Sequence, residues 1–147
     1  VQTLVAPIPA ASDTPPSPPW ALGKEGEGLW LPKWSPDGSR VALTSVEGRI
    51  AVAAADGSTR YDLGPGDAPA WSPDGTLIVY AGASAGLDYT TRDVHLVRSD
   101  GSGRRIRMTD AGEDQLYVSP SWSPDGKQLA FVELDTGQLY IGDVPLP

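Results

Sequence analysis

Trp34-Ser35-Pro36-Asp37-Gly38 recurs unchanged as Trp71-Ser72-Pro73-Asp74-Gly75 and again as Trp122-Ser123-Pro124-Asp125-Gly126. A short apolar run follows each glycine: Val41-Ala42-Leu43-Thr44, Ile78-Val79-Tyr80 and Leu129-Ala130-Phe131-Val132. A second run comes after a turn: Ile50-Ala51-Val52, Val94-His95-Leu96-Val97 and Leu139-Tyr140-Ile141. In the first two copies an Asp-Gly pair (Asp56-Gly57, Asp100-Gly101) then leads to a third run ending at Leu63 or Met108. Proline presets φ, aspartate hydrogen-bonds its own backbone and glycine supplies a positive φ, so Ser-Pro-Asp-Gly predicts a hairpin turn. The tryptophan ahead of it ends an incoming strand and carries a large apolar surface. Each unit reads as four antiparallel strands, A to D, at a period of roughly 40 residues, which is the pattern of a β-propeller blade.

Composition agrees with an all-β chain. Among 147 residues there are 17 glycines and 15 prolines, too many breakers for long helices and suited to short strands joined by tight turns. The net charge is −8 and the isoelectric point about 4.4. No dense Lys/Arg cluster offsets that charge, and an acidic surface repels a phosphate backbone, so no nucleic-acid partner is expected. The absence of cysteine excludes disulfides and thiolate metal sites. No apolar run reaches the ~18 residues a membrane span needs, so no membrane insertion is expected. The sequence starts at Val1 without a signal-like apolar segment, as in a processed protein or a piece of a longer one.

The triplicated Trp-Ser-Pro-Asp-Gly, each copy leading into an apolar strand, resembles the TolB-like group of WD-type β-propeller repeats over residues 29–147. What the resemblance implies is a non-catalytic module for protein or peptide binding, or a scaffold, in an extracytoplasmic (periplasmic or secreted) setting. An alternative rests on the same repeats. They also build the accessory propellers of larger enzymes such as prolyl-oligopeptidase-like serine peptidases, whose hydrolase domain is not found in this sequence.

The expected architecture is three four-stranded blades, at about residues 29–65, 66–109 and 110–147. Three are too few to close a ring, since propellers have about four to eight. The chain is therefore read as half of a six-bladed ring or as a fragment of a longer propeller. Two apolar blade flanks would otherwise face water, and self-association as a homodimer is expected to cover them. At the first copy's spacing the third copy's strand D would fall beyond Pro147. Residues 1–5, a short β-rich run, are the candidate to complete that blade by pairing with Leu139–Ile141, and residues 6–28 form a Pro-rich connector.

Motifs with catalytic or metal associations have simpler readings. Gly82-Ala83-Ser84-Ala85-Gly86 fits the nucleophile elbow G-x-S-x-G, but the elbow needs a following helix and a distant histidine. Here Leu87-Asp88-Tyr89-Thr90-Thr91 follows, and the lone histidine, His95, lies within the next strand. No catalytic role is assigned, and no cofactor is expected. His95 alternates with Val94 and Leu96 and matches Ala51 and Tyr140 in the other copies, which marks a packing slot. The three turn aspartates lie in separate repeats without the dense carboxylate spacing of a calcium loop, so no metal site is expected. Trp34, Trp71 and Trp122 are expected in the core.

The copies differ in one informative way. From Trp34 to Trp71 is 37 residues, and from Trp71 to Trp122 is 51. Nearly all the excess falls in the B–C connection, residues 83–92, and the D–A connection, residues 110–120. In an up-and-down blade both emerge on one face, and extra loop length on one face marks a binding face. Its interaction-prone residues are Asp88, Tyr89, Arg92, Asp110, Glu113, Asp114 and Tyr117. Tyr and Arg are frequent binding anchors, and the carboxylates favour a basic partner.

Overall fold

The computed structural model describes residues 21–83 and 91–145, which form three antiparallel sheets. Sheet 1 runs β1 (Leu29–Trp34), β2 (Arg40–Ser45), β3 (Arg49–Ala54) and β4 (Arg60–Pro65). Sheet 2 runs β5 (Asp67–Trp71), β6 (Leu77–Ala83), β7 (Arg92–Arg98) and a two-residue β8 (Ile106–Arg107). Sheet 3 has β9 (Tyr117–Trp122), β10 (Gln128–Glu133) and β11 (Leu139–Asp143). The third sheet thus shows three strands where four were expected. Its proposed fourth strand, residues 1–5, lies outside the described residues.

Each repeated motif closes the β-turn between the first two strands in the same way. The Ser35 hydroxyl donates to Asp37 Oδ1 at 2.6 Å and accepts the Arg40 N–H at 2.9 Å, while Asp37 Oδ1 accepts the Ser39 N–H at 3.1 Å. Ser72 with Asp74, Thr76 and Leu77, and Ser123 with Asp125, Lys127 and Gln128, repeat the pattern. Gly38, Gly75 and Gly126 hold φ of 70°, 71° and 72°, where a side chain is disfavoured. The hydroxyl is the hinge of this turn: it satisfies both the aspartate and the first strand amide.

The repeat extends further upstream than its invariant part. Leu31-Pro32-Lys33, Ala68-Pro69-Ala70 and Ser119-Pro120-Ser121 precede the three tryptophans. Proline cannot donate to a ladder, so each inner strand must skip a pair at that point. The register shifts there in all three sheets. Leu31, Ala68 and Ser119 carry φ of 51°, 51° and 53°, a left-handed backbone unusual away from glycine. Each is a β-bulge on a strand that borders the centre.

Stacking of the sheets follows from two-sided apolar strands. Ala42, Ile50 and Val52 of sheet 1 meet Trp71, Ile78, Tyr80 and Val97 of sheet 2. The opposite face of sheet 2, Val79, Val94 and Leu96, meets Leu129, Phe131 and Trp122 of sheet 3. Two polar connectors fix the stacking. Trp71 Nε1 donates to the Lys33 carbonyl at 2.9 Å and Trp122 Nε1 to the Ala70 carbonyl at 3.1 Å. Both acceptors sit one residue before the tryptophan of the preceding sheet. Arg40 adds a further link: it lies over the Trp71 ring at 4.8 Å and donates to Ser99 Oγ at 3.1 Å and the Gly75 carbonyl at 3.1 Å.

Two expectations need correction. Trp71 is 9% exposed, but Trp34 is 62% exposed and Trp122 half-buried, so the equivalent positions are not equally core. The reason is that no described sheet precedes Trp34. Nor are both flanks open. On sheet 1 the outward residues Val41, Leu43, Ala51 and Ala53 are buried. Residues 21–28 lie along that flank, with Leu22 beside Gly57, Glu27 paired with Arg60 and the Val46 N–H donating to the Gly28 carbonyl at 2.9 Å. On sheet 3 the outward residues Leu139 and Ile141 are 61% and 65% exposed.

Ser72→Ala removes a buried hydroxyl and leaves the Leu77 N–H without its acceptor. The expected loss is about 1–3 kcal/mol, read from the urea midpoint with an unchanged denaturant slope.

Candidate functional site

The D–A connection of the second repeat runs against the start of β7, while residues 84–90 of the B–C connection lie outside the described residues. The Arg92 N–H donates to the Gln115 carbonyl at 3.0 Å, and the Leu134 N–H donates to the Leu116 carbonyl at 2.9 Å. An isolated parallel bridge joins Arg92 to Leu116. The segment from residue 108 to 116 is thereby laced between sheets 2 and 3.

Its anchor is Asp93, a carboxylate with 0% exposure. Burying a charge is costly unless donors converge on it. Thr109 Oγ1 donates to Asp93 Oδ1 at 2.6 Å, the Ala111 N–H donates to the same oxygen at 2.8 Å, and Arg107 Nε sits 2.7 Å from Oδ2. The sequence reading missed Asp93, although an aspartate inside an apolar strand was a signal. The loop is closed further on by Gln115, whose Oε1 accepts the Gly112 N–H at 2.8 Å, and Asp114 takes a left-handed φ of 61°.

The predicted binding-face residues divide by role. Arg92 is ion-paired with Asp67, and Arg107 is shared between Asp93 and Asp110, the latter at 2.7 Å. Glu113 and Asp114 are exposed and make no ion pair among the described residues. Tyr117 opens β9 half-buried, its ring edge-on to Phe131 at 5.4 Å and to Tyr140 at 5.8 Å. Asp88 and Tyr89 lie outside the described residues. The cations of this end are thus already matched, and its spare charge is negative.

A groove of about 500 Å³ runs between the inner strands β1, β5 and β9. Leu31, Trp34, Pro69, Trp71 and Pro120 line it, with Lys33 as its charged member. It is walled by the three bulges, a feature that the proline two residues before each tryptophan made legible.

His95 belongs to packing. It is 1% exposed, pairs in register with Tyr80 and lies 5.6 Å from that ring. Among the described residues neither ring nitrogen has a hydrogen-bond partner within normal geometry. Burial, helped by the nearby Arg105 charge, pulls its pKa down to about 4. Gly82 is required by the same packing, since a Cβ there would stand 3.0 Å from the Pro65 carbonyl and 3.3 Å from His95 Cδ2. That close approach accounts for the first glycine of the G-x-S-x-G stretch; Ser84 lies outside the described residues. Among the described residues no three His, Cys, Asp or Glu side chains group to hold a metal ion. The turn aspartates spend their oxygens on their own turns, and the Ser35 and Ser39 hydroxyls hold Asp37 down at about 2. No helix among the described residues is long and apolar enough to cross a membrane.

Comparison with known proteins places this geometry. No protein-family model matches the chain. A TolB homologue from Chlorobium luteolum is 32% identical over 124 residues, which are 77% of this chain and 26% of that protein. The structure of TolB from Acinetobacter baumannii superposes with a TM-score of 0.63 at 25% identity, over 84% of this chain and 32% of that one. The β-propeller domain of the Trilobed protease from Pyrococcus furiosus gives a TM-score of 0.62 at 18% identity, over 79% of this chain and 38% of that one, and speaks for the fold alone. Together they support a TolB-like β-propeller family. The chain spans between about a tenth and a quarter of the length of the curated relatives it matches.

His95 generates a pH prediction. Its ordinary pKa is 6.5 and its folded value about 4. Below pH 6.5 the unfolded chain takes up a proton that the folded chain refuses, so stability falls as pH drops from 6.5 towards 4. The expected loss is about 3 kcal/mol, measured by urea unfolding across that range. His95→Phe abolishes this slope. Asp37 gives up its contribution lower down, from the ordinary 3.8 towards about 2, and the serine hydroxyls beside Asp74 and Asp125 shift those carboxyls in the same direction.

Proposed function

We propose that the chain is a three-bladed β-propeller segment without chemistry of its own, which binds a basic protein or peptide on the face built from residues 83–92 and 110–120. The observation that carries this reading is the charge balance of that face. Arg92 and Arg107 are consumed in ion pairs, while Glu113 and Asp114 are exposed on the loop and make no ion pair among the described residues. A loop held by a buried carboxylate loses little entropy on binding, which is what a recognition surface needs. Free carboxylates on it steer and orient a cationic partner. Asp88, Tyr89, Arg92, Asp110, Glu113, Asp114 and Tyr117 form the proposed binding set. Similarity to TolB proteins supports an extracytoplasmic setting and protein partners, and the reading includes self-association of the chain.

The second reading is an accessory propeller of a larger peptidase. Similarity to dipeptidyl-peptidase 5 from Porphyromonas gingivalis, 35% identical over 74 residues that are 49% of this chain and 10% of that protein, favours it. On that reading the same face meets a catalytic domain of the parent protein, and the isolated chain captures no free peptide.

The test is binding of a fluorescent Lys-rich peptide, with a Glu-rich peptide as control. The parent chain is expected to retain the Lys-rich peptide alone, more weakly as salt rises. Reversing both free charges, Glu113→Lys with Asp114→Lys, is expected to weaken capture about tenfold and to shift unfolding by less than about 0.5 kcal/mol. Equal capture of both peptides, or no effect of the reversal, overturns the reading.

A further inference from the structure

One slot of the repeat is filled from within in two sheets and left open in the third. The ladders place Ala51, His95 and Tyr140 at equivalent positions, opposite Leu43, Tyr80 and Phe131. Two of the three carry a ring. His95 is buried beside Tyr80, and Tyr140 stacks on Phe131 with ring centroids 5.8 Å apart. Sheet 1 has only the methyl group of Ala51, and a pocket of about 260 Å³ opens onto it. The surroundings of the slot are retained while its ring is missing. Arg49 and Asp62 flank Ala51 as a cross-strand ion pair at 2.6 Å, and Asp93 and Arg107 flank His95 in the same places at 2.7 Å, with the charges exchanged. A planar polar ring beside an ion pair is therefore an arrangement that this fold already makes.

The mouth of the pocket is charged, and its charges are unevenly spent. Arg49 donates to both Asp62 oxygens, at 2.6 and 2.9 Å. Arg60 donates through Nη1 to Glu27, whose other oxygen accepts the Lys24 N–H at 2.9 Å. These pairs hold the walls still. Among the described residues, the second terminal nitrogen of Arg60 makes no hydrogen bond, so its fork can take a further carboxylate. Glu47 lines the same pocket from the β2–β3 turn, is exposed, and makes no ion pair among the described residues. The pocket thus offers one spare donor, one spare carboxylate and one ring-sized slot between them.

We infer that this pocket binds a free amino acid with a small polar ring, of the histidine or tyrosine type. The ligand's ring lies over Ala51 where the other repeats place their own, its carboxylate meets Arg60 and its ammonium meets Glu47. A ligand lacking either charge leaves one of those groups unanswered, and a ligand lacking the ring leaves the slot empty, so the three features together set the specificity. None of these residues belongs to the loop face at 83–92 and 110–120, and the site is independent of what that face binds.

The experiment is a titration of the isotope-labelled whole chain with L-histidine, followed by amide chemical shifts. The parent is expected to show saturable shifts centred on residues 47–51 and 60–62. L-Alanine, which lacks the ring, and histamine, which lacks the carboxylate, are each expected to bind about tenfold more weakly or worse. Ala51→His supplies the ring covalently, as sheet 2 does, and is expected to stay folded by circular dichroism and to lose the shifts. Glu47→Gln, at an exposed turn position, is expected to weaken L-histidine severalfold and to leave imidazolepropionate, which has no ammonium, unchanged; this variant carries the test if Ala51→His does not fold. The proposal is overturned by a parent without saturable shifts, by shifts centred on residues 110–116, by L-alanine binding as well as L-histidine, or by full binding to folded Ala51→His or to Glu47→Gln.

Discussion

A tryptophan that reaches back one sheet holds this molecule in register. The Trp71 and Trp122 indole N–H groups each end on the carbonyl just before the preceding motif tryptophan, so one residue type serves as plug and its neighbour as socket. The bond is worth roughly 1 kcal/mol on its own. Its importance is geometric, because apolar faces are non-directional and would let sheets slide. With the indole fixed, Ile78 and Tyr80 fall opposite Ala42, Ile50 and Val52, and the alternation of the strands does the rest. The middle sheet is the most buried because it alone is both plug and socket.

The sequence was most legible where one physical requirement was repeated. Three copies of Trp-Ser-Pro-Asp-Gly predicted the turns, the sheet order and the faces, and all three turns form with the same hydrogen bonds. What stayed hidden was whatever depends on position in the array. Trp34, Trp71 and Trp122 are the same residue in the same motif, yet only Trp71 is buried below a tenth, since burial is decided by the neighbouring sheet. The course of residues 21–28 beside sheet 1 was also invisible, because a Gly-rich charged stretch carries no periodicity.

The loop face illustrates a different limit. Loop length pointed to residues 110–120, but length does not say which residues order a loop and which are left over for a partner. Asp93 does the ordering from inside a strand, three donors deep. Arg92 and Tyr117, attractive as anchors in the sequence, have partners within the fold, while Glu113 and Asp114 are exposed and make no ion pair among the described residues. Side-chain type suggested a site; only pairing distinguishes its frame from its surface.

The prolines beside the left-handed residues Leu31, Ala68 and Ser119 have a consequence for aggregation. A sheet's outer strand is a template on which foreign strands can grow, and proteins blunt it with prolines and bulges. The inner strands β1, β5 and β9 each carry both devices, so their borders cannot be extended by a regular ladder. On the other side of sheet 3, β11 is an unbroken Leu-Tyr-Ile-Gly-Asp strand with neither. Among the described residues β11 is therefore the border open to a foreign strand, and the three inner borders are blunted against one.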